Sequence, residues 1–156
     1  MGCWEGKSTA YLANACYPAE LQAVDTWKGN IDENPNHPMA VIARERDVYR
    51  VFLNNIRSLT LGNVRAHVMR SRDFFARQQR AIKFCHIDAS HDFPSVKADI
   101  EAASKLLIPR GVLCGGDFLS ANMQRADLQG GVERAVRELL PGMQTAKNFW
   151  LWQKPG

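Results

Sequence analysis

The chain opens with MGCWEGKSTAYLA, residues 1–13, in which two glycines enclose a short loop and a helix-forming run follows. Glycine allows a backbone to approach a ligand closely, and glycine-rich loops before a helix often hold nucleotide-sized ligands. Such a loop normally follows a buried strand, whereas only Met1 precedes Gly2 here. The stretch therefore predicts either a cofactor loop or an ordinary helix start that carries glycines.

Strand and helix patterns alternate along the rest of the chain. A helix is predicted from Lys7 to about Ala15, the strand ELQAVDTW then ends at Asp25, and DVYRVFLNNIRSL has the apolar spacing of an amphipathic helix. Further strands are predicted in VRAHVM, AIKFCHID and VLCGGDF, the last after a turn at PRG, and helices in SRDFFARQQ, with Ser71 as its N-cap, FPSVKADIEAASKLL and GGVERAVRELL. MQTAKNFWLWQK predicts an antiparallel hairpin, with Trp150 and Trp152 on one side of its second strand and Phe149, Leu151 and Gln153 on the other. This order predicts an α/β fold with a mostly parallel sheet and an antiparallel C-terminal hairpin, in a single domain of residues 1–156.

Polar residues stand where the predicted strands end. In parallel sheets, ligands bind beyond the carboxyl ends of the strands, which directs attention to Asp25, the Arg70–Ser71 corner, Asp88 with His91, and Asp117. Asp25 lies 23 residues beyond Gly2, the spacing at which a carboxylate accepts ribose hydroxyls. The alternative is an aspartate that only caps a loop.

Two nucleotide-binding signatures are incomplete. The dinucleotide pattern G-x-G-x-x-G is absent, because Gly2 and Gly6 are spaced G-x-x-x-G. MGCWEGKS ends as a phosphate-binding P-loop does, but Met1 stands where its first glycine belongs. A P-loop-type nucleotide binder is therefore kept as an alternative.

Composition excludes several classes of protein. No stretch reaches the ~20 apolar residues of a membrane span, and no secretion signal begins the chain. The four cysteines form no zinc or C-x-x-C pattern, which favours a reducing cytoplasm. Arginines crowd residues 44–80 within a net charge of +4, and we interpret them as a solvated helical surface rather than a nucleic-acid-binding face.

Several separate blocks together resemble one known family. GCWEGKSTAYLA, VDTWKGN, DVYRVFLNNI, HIDASHDFPSVKADI, IPRGVLCGGDF and GVERAV are similar, in order and spacing, to class I S-adenosylmethionine-dependent methyltransferases of the macrocin and cephalosporin O-methyltransferase type. The resemblance implies a Rossmann-like fold, S-adenosylmethionine as cofactor and a small-molecule methyl acceptor. We expect no membrane partner, and a nucleic-acid-binding protein is kept as a less favoured alternative. Whether the chain forms a homo-oligomer is left open by the sequence.

The resemblance also implies which residues touch the cofactor. The glycine loop would lie near the methionine part, the acid after the second strand would bind the ribose, and the corner after VRAHVM would lie by the adenine. The residues implied are Gly2, Cys3, Trp4, Gly6, Ser8, Asp25, Trp27, Ser71, Arg72 and Asp88.

The chemistry is expected at HIDASHD, where relatives place an aspartate and, three positions on, a basic residue. His91 would be the general base that takes the acceptor's proton, beside Asp88. Asp88 and Asp117 would alternatively hold Mg²⁺, which prefers oxygen ligands. Metal-using relatives often have two acids after the fifth strand, whereas Gly116 precedes Asp117 here, so the metal site would recruit His91, be weaker or be absent.

A second departure from the family lies at the start of the chain. Relatives carry an apolar strand ending in Glu-x-Gly before the loop, and it would fall before Met1, so we expect an N-terminally truncated member. We expect Gly2, Asp25 and Asp88 to meet around one cofactor, and the segments from Trp27 to Pro38 and from Asp117 to Gly130 to form the acceptor pocket. The alternative is a non-catalytic, degenerate domain that keeps the fold.

Overall fold

The computed structural model describes residues 1–29, 36, 38–119 and 130–156. They form two compact units, Met1–Ser71 and Arg72–Gly156. The single domain expected from the sequence stays a prediction. No helix among the described residues is long and apolar enough to cross a membrane.

The first unit places helices on a two-stranded parallel sheet. Its elements are α1 (Lys7–Cys16), β1 (Leu21–Asp25), α2 (Pro38–Glu45), α3 (Val48–Leu59) and β2 (Val64–Val68). β1 and β2 run parallel, from Leu21 opposite Val64 to Asp25 opposite Val68. This register brings the end of β1 level with the end of β2.

The core of the first unit forms where α1 packs against both β1 and α3. Asp47 begins α3 by accepting the N–H of Arg50 at 2.9 Å, as an N-cap residue does. Val48, Phe52 and Ile56 are buried on one face, which confirms the amphipathic pattern. These side chains pack in one cluster with apolar residues of the glycine loop and β1.

The second unit contains a four-stranded mixed sheet with helices against it. Its elements are α4 (Ser71–Arg77, which begins at the last residue of the first unit), β3 (Ile82–Ile87), α5 (Phe93–Leu106), β4 (Leu107–Gly115), α6 (Gly131–Leu139), β5 (Gln144–Ala146) and β6 (Phe149–Gln153). The strand order is β3-β4-β6-β5, in which only the β3–β4 pair is parallel. α5 packs against β3, β4 and α6.

The alternation of strands and helices and the C-terminal hairpin confirm the predicted α/β class. Within the part of the chain that the structure describes, hydrogen bonding divides the six strands into two sheets, whereas the sequence predicted one. The alternation in β6 is also confirmed, because Trp150 is buried while Phe149 and Leu151 are exposed. In the β3–β4 pair, Cys85 stands opposite Leu113 and Cys114 opposite His86, so the two thiols point to opposite faces.

Three local expectations differ from the structure. α2 had no predicted counterpart, because only Ala40 is buried in it and no long apolar stripe marks it. The predicted turn at residues 109–111 belongs to β4, because Arg110 donates to the Lys154 carbonyl at 3.0 Å and Gly111 accepts from the Lys154 N–H at 2.9 Å. Ser71 is the first residue of α4 rather than the residue before it.

Gly6 and Gly62 allow a matched test of how tightly the glycine loop packs. Both have left-handed backbones, with φ +90° and +81°, but a Cβ on Gly6 would lie 3.0 Å from Phe52 whereas one on Gly62 would meet nothing within 4 Å. We expect Gly62→Ala to lower the free energy of unfolding by about 1 kcal/mol through backbone strain alone. Gly6→Ala should lower it by about 1–3 kcal/mol more, because the core is then overpacked. Urea denaturation measures both, and equal losses would contradict this packing.

Candidate functional site

Asp25, at the end of β1, is bonded to the glycine loop. Its Oδ2 accepts the N–H groups of Cys3 at 2.6 Å and Trp4 at 2.9 Å. Its Oδ1 accepts the N–H of Trp27 at 2.7 Å. One carboxylate therefore joins the loop before α1 to the turn that follows β1.

The backbone of the glycine loop is shaped to bind an anion. Gly2, Trp4 and Gly6 all have positive φ angles, of 75°, 46° and 90°. Consecutive N–H groups in such a conformation point into one concave space, where proteins commonly hold phosphates and other anions. Here the Asp25 carboxylate occupies that space.

This occupancy argues against the P-loop alternative. The N–H groups of Cys3 and Trp4, which a phosphate would need, already donate to Asp25. A phosphate brought to the same amides would also meet the negative charge of the carboxylate. The Gly-Lys-Ser sequence therefore begins α1 without forming a phosphate cradle.

Trp27 fixes the other side of the loop. It is 5% exposed, its φ angle is 54°, and its indole Nε1 donates to the Trp4 carbonyl at 2.8 Å. Its ring lies 4.5 Å from that of Tyr49 and 4.8 Å from that of Phe52. Gly2 also donates to the Val24 carbonyl at 3.0 Å, so both ends of the loop are tied to β1 or the residues after it.

The remaining residues implied for the cofactor lie outside this network. Ser8 is in the first turn of α1, and Ser71 begins α4. The Arg72 guanidinium is 3.4 Å from the carboxylate of Asp73, its neighbour in sequence. The structure thus joins Gly2, Cys3, Trp4, Asp25 and Trp27 to one another. Contacts with a cofactor stay predictions for all the residues that the resemblance implies.

In the second unit, three predicted residues come together. One ligand atom each from Asp88, His91 and Asp117 lie within 4.8 Å of one another. His91 Nε2 is 3.2 Å from Asp117 Oδ2, which is a hydrogen-bonding distance. Asp88 follows β3 and Asp117 follows β4, so the parallel pairing of these strands places both carboxylates at one edge of the sheet.

Two glycines make this close approach possible. A Cβ on Gly116 would lie 2.9 Å from the Asp88 carboxylate. A Cβ on Gly131, at the start of α6, would lie 2.2 Å from the His91 carbonyl, so any side chain there would displace the backbone at His91. The sequence prediction did not single out Gly131; its only signal is the Gly130–Gly131 pair at a helix start.

The two carboxylates differ in their electrostatic surroundings. Burial on one side and the neighbouring Asp117 raise the pKa of Asp88, whose other side still faces solvent. The hydrogen bond from His91 lowers the pKa of Asp117. The site therefore contains one carboxylate whose charge the imidazole compensates and one whose charge is only partly compensated.

This donor set could hold a divalent cation. Two carboxylates and an imidazole suit Mn²⁺, Fe²⁺ or Zn²⁺ as well as Mg²⁺, because imidazole is a softer ligand than oxygen. Gly116 supplies no ligand, and a side chain there would crowd Asp88. His91 thus stands where it could complete the set.

A shallow recess adjoins these residues on the side of α5 and α6. Val96, Val132 and Trp150 line it together with the loop of residues 87–91 and Gly116. Trp150 is 1% exposed, and its ring lies over Gly115, where a Cβ would be 2.7 Å from Cε2 and from Cζ2. Trp150 was predicted only as one face of a strand, so its place beside Asp88 is new.

Residues 1–118 match a family model described as a methyltransferase domain. The chain belongs to this family. The matched span contains the glycine loop with Asp25 and the group of Asp88, His91 and Asp117. The resemblance inferred from the sequence blocks is therefore confirmed. No curated protein matches this methyltransferase in sequence.

Solved structures confirm the class I methyltransferase fold. An O-methyltransferase from Bacillus cereus in complex with SAH is 20% identical, with 98% of this chain and 71% of that chain covered and a TM-score of 0.60. The O-methyltransferase NovP is 14% identical, with coverage of 98% and 69% and a TM-score of 0.69. The N-methyltransferase NodS from Bradyrhizobium japonicum is 17% identical, with coverage of 99% and 83% and a TM-score of 0.62.

The electrostatic coupling between the two carboxylates can be measured directly. In Asp117→Asn the neighbouring negative charge is gone, so the pKa of Asp88 should fall, while remaining above its ordinary value because the burial persists. Carboxyl-carbon NMR titration follows Asp88. Glu133→Gln, which removes a carboxylate paired with Arg137 elsewhere in the unit, should leave the pKa of Asp88 unchanged. An unchanged Asp88 in Asp117→Asn would contradict the coupling.

Proposed function

We propose that this methyltransferase moves the methyl group of S-adenosylmethionine to an oxygen atom of a small molecule. Family membership supports methyl transfer, and the SAH complex of the Bacillus cereus enzyme supports this cofactor. Two O-methyltransferases among the similar structures favour oxygen as the acceptor, although the N-methyltransferase shares the fold. The observation that carries the proposal is the glycine loop built around the Asp25 carboxylate.

The first unit would bind the cofactor through this loop. Asp25 Oδ2 already accepts two N–H groups, whereas Oδ1 accepts one and keeps acceptor capacity for a ribose hydroxyl. S-adenosylmethionine supplies an electrophilic methyl group on a positively charged sulfonium. A carboxylate in the loop is compatible with that charge, whereas it opposes a phosphate.

The second unit would supply proton chemistry. An acceptor hydroxyl attacks well only when its proton is removed, and a histidine is suited to removing it near neutral pH. Asp117 would orient the ring of His91 by accepting the Nε2–H, and would stabilise the imidazolium formed after proton uptake. Asp88 would stand beside them as a second negative charge.

A metal ion held by Asp88, Asp117 and His91 is the alternative way to activate the acceptor. Such an ion would lower the pKa of a bound hydroxyl. His91 would then be a metal ligand, so the proton of the hydroxyl would pass to solvent or to another base. The proposal therefore has two forms. In one, Mg²⁺ activates the acceptor, as expected from the sequence, and in the other, His91 is the base.

Some expectations fall outside the described residues. The proposed acceptor pocket involves residues 30–35, 37 and 120–129, of which the structure describes nothing. The meeting of Gly2, Asp25 and Asp88 around one cofactor, the cytoplasmic location and any homo-oligomer stay predictions.

Calorimetric titration with S-adenosylhomocysteine tests the cofactor proposal. We expect the intact chain to bind it, and Asp25→Ala to weaken binding about tenfold or more, since a hydrogen bond to a charged group is lost. Asp47→Ala is the matched control, because Asp47 also accepts a backbone N–H in the first unit. It should lower stability without changing affinity. No binding by the intact chain would favour the degenerate, non-catalytic alternative.

Titration with Mg²⁺ and Mn²⁺ separates the two forms of the chemistry. If the ion binds at the second unit, Asp117→Asn should weaken binding at least about tenfold, and Mn²⁺ should bind more tightly than Mg²⁺ because of the imidazole ligand. Glu133→Gln should bind as the original chain does. Equal binding by all three chains would exclude this metal site, and absence of binding would leave His91 as the base.

A further inference from the structure

The carboxylate of Asp25 has structural contacts in addition to its proposed contact with a ribose. It accepts three backbone N–H groups on two oxygens, and two of them come from a segment that precedes it by 21 and 22 residues. Hydrogen bonds to a charged group are stronger than neutral ones.

The place of this carboxylate is the one that an external anion would take. The N–H groups of Cys3 and Trp4 both point at Oδ2, at 2.6 Å and 2.9 Å. Trp4 itself holds a φ angle of 46°, which is unfavourable for a residue with a side chain and needs compensation from its surroundings. The bond to Asp25 provides such compensation.

We propose that Asp25 is a positioning residue that folds the glycine loop before any ligand binds, and that its charge makes the site select nucleosides without phosphate over phosphorylated ones. The first step stands on the hydrogen bonds alone. The second step rests on the proposed function, since it requires that a nucleoside binds beside the loop. The chemical class expected is therefore an adenosine derivative whose 5′ substituent is neutral or cationic.

Asp25→Asn tests this arrangement, because the amide keeps the shape of the carboxylate but has only one acceptor oxygen. Its amide has one acceptor oxygen and one donor group, and the donors from the loop approach both sides. If the oxygen faces Trp27, the amide N–H₂ opposes the N–H groups of Cys3 and Trp4. If the oxygen faces the N–H groups of Cys3 and Trp4, the amide N–H₂ opposes the N–H of Trp27. Either orientation breaks bonds that hold the loop.

Hydrogen exchange of the ligand-free protein measures the first step. In Asp25→Asn we expect the amides of Cys3 and Trp4, or that of Trp27, to exchange at least about tenfold faster, since the lost bonds protect them. Asp47→Asn is the matched control, with the same change of charge at a residue that accepts the Arg50 N–H. Its effect should stay at the start of α3. Unchanged exchange at Cys3, Trp4 and Trp27 in Asp25→Asn would overturn the proposal.

Competing titrations with adenosine and AMP measure the second step. The original chain should bind adenosine more tightly than AMP, and Asp25→Asn should reduce this preference about tenfold, because the repulsion of the phosphate is removed. A purely structural loss would weaken both ligands equally. Asp47→Asn should keep the original preference.

The outcomes separate this proposal from the function on which its second step rests. Faster exchange with an unchanged adenosine-to-AMP preference would overturn the selection of ligands. Failure of the original chain to bind adenosine, AMP or S-adenosylhomocysteine would overturn the proposed function and the selection together. The exchange measurement would still decide whether Asp25 folds the loop.

Discussion

The carboxylate of Asp25 is the constraint on which the first unit depends. Asp25 is held at the end of β1 by the pairing of β1 with β2. From there its carboxylate accepts backbone N–H groups from two separate segments. Trp27, which it holds in place, packs against the ring of Phe52, and Phe52 is also the side chain nearest to Gly6. The loop and the core therefore share one set of contacts, and neither can move far without the other.

In the second unit, two glycines determine how closely the charged and titratable side chains approach one another. Gly116 lets Asp88 come close to the strand that carries Asp117, and Gly131 lets α6 pack beneath the backbone of His91. The imidazole compensates one of the two carboxylates, and the other keeps a raised pKa. Such a group favours a proton, a cation or a positively polarised substrate atom, which is consistent with chemistry that activates a hydroxyl.

The sequence predicts much of this structure because its main signals are periodic or positional. Apolar spacing predicted α3 and the alternation of β6, and the rule for strand ends singled out Asp25, Asp88 and Asp117. The sequence could not predict the hydrogen-bond partners of Asp25. These partners are backbone N–H groups, which nearly every residue has, so no residue type indicates them. α2 was missed for a different reason, since its apolar residues form one continuous run over residues 39–43, which is too short to show a helical period.

The register of β3 and β4 has a consequence for the thiol chemistry of the second unit. Cys85 and Cys114 lie on adjacent strands but on opposite faces, so oxidation cannot join them into a disulfide while the sheet is intact. Burial raises the pKa of Cys85 to about 11 and that of Cys114 to about 12, which leaves almost no thiolate at neutral pH. Cys85 is also buried, so an alkylating reagent should reach its sulfur at the rate at which the strands separate, which makes this residue an internal reporter of sheet opening.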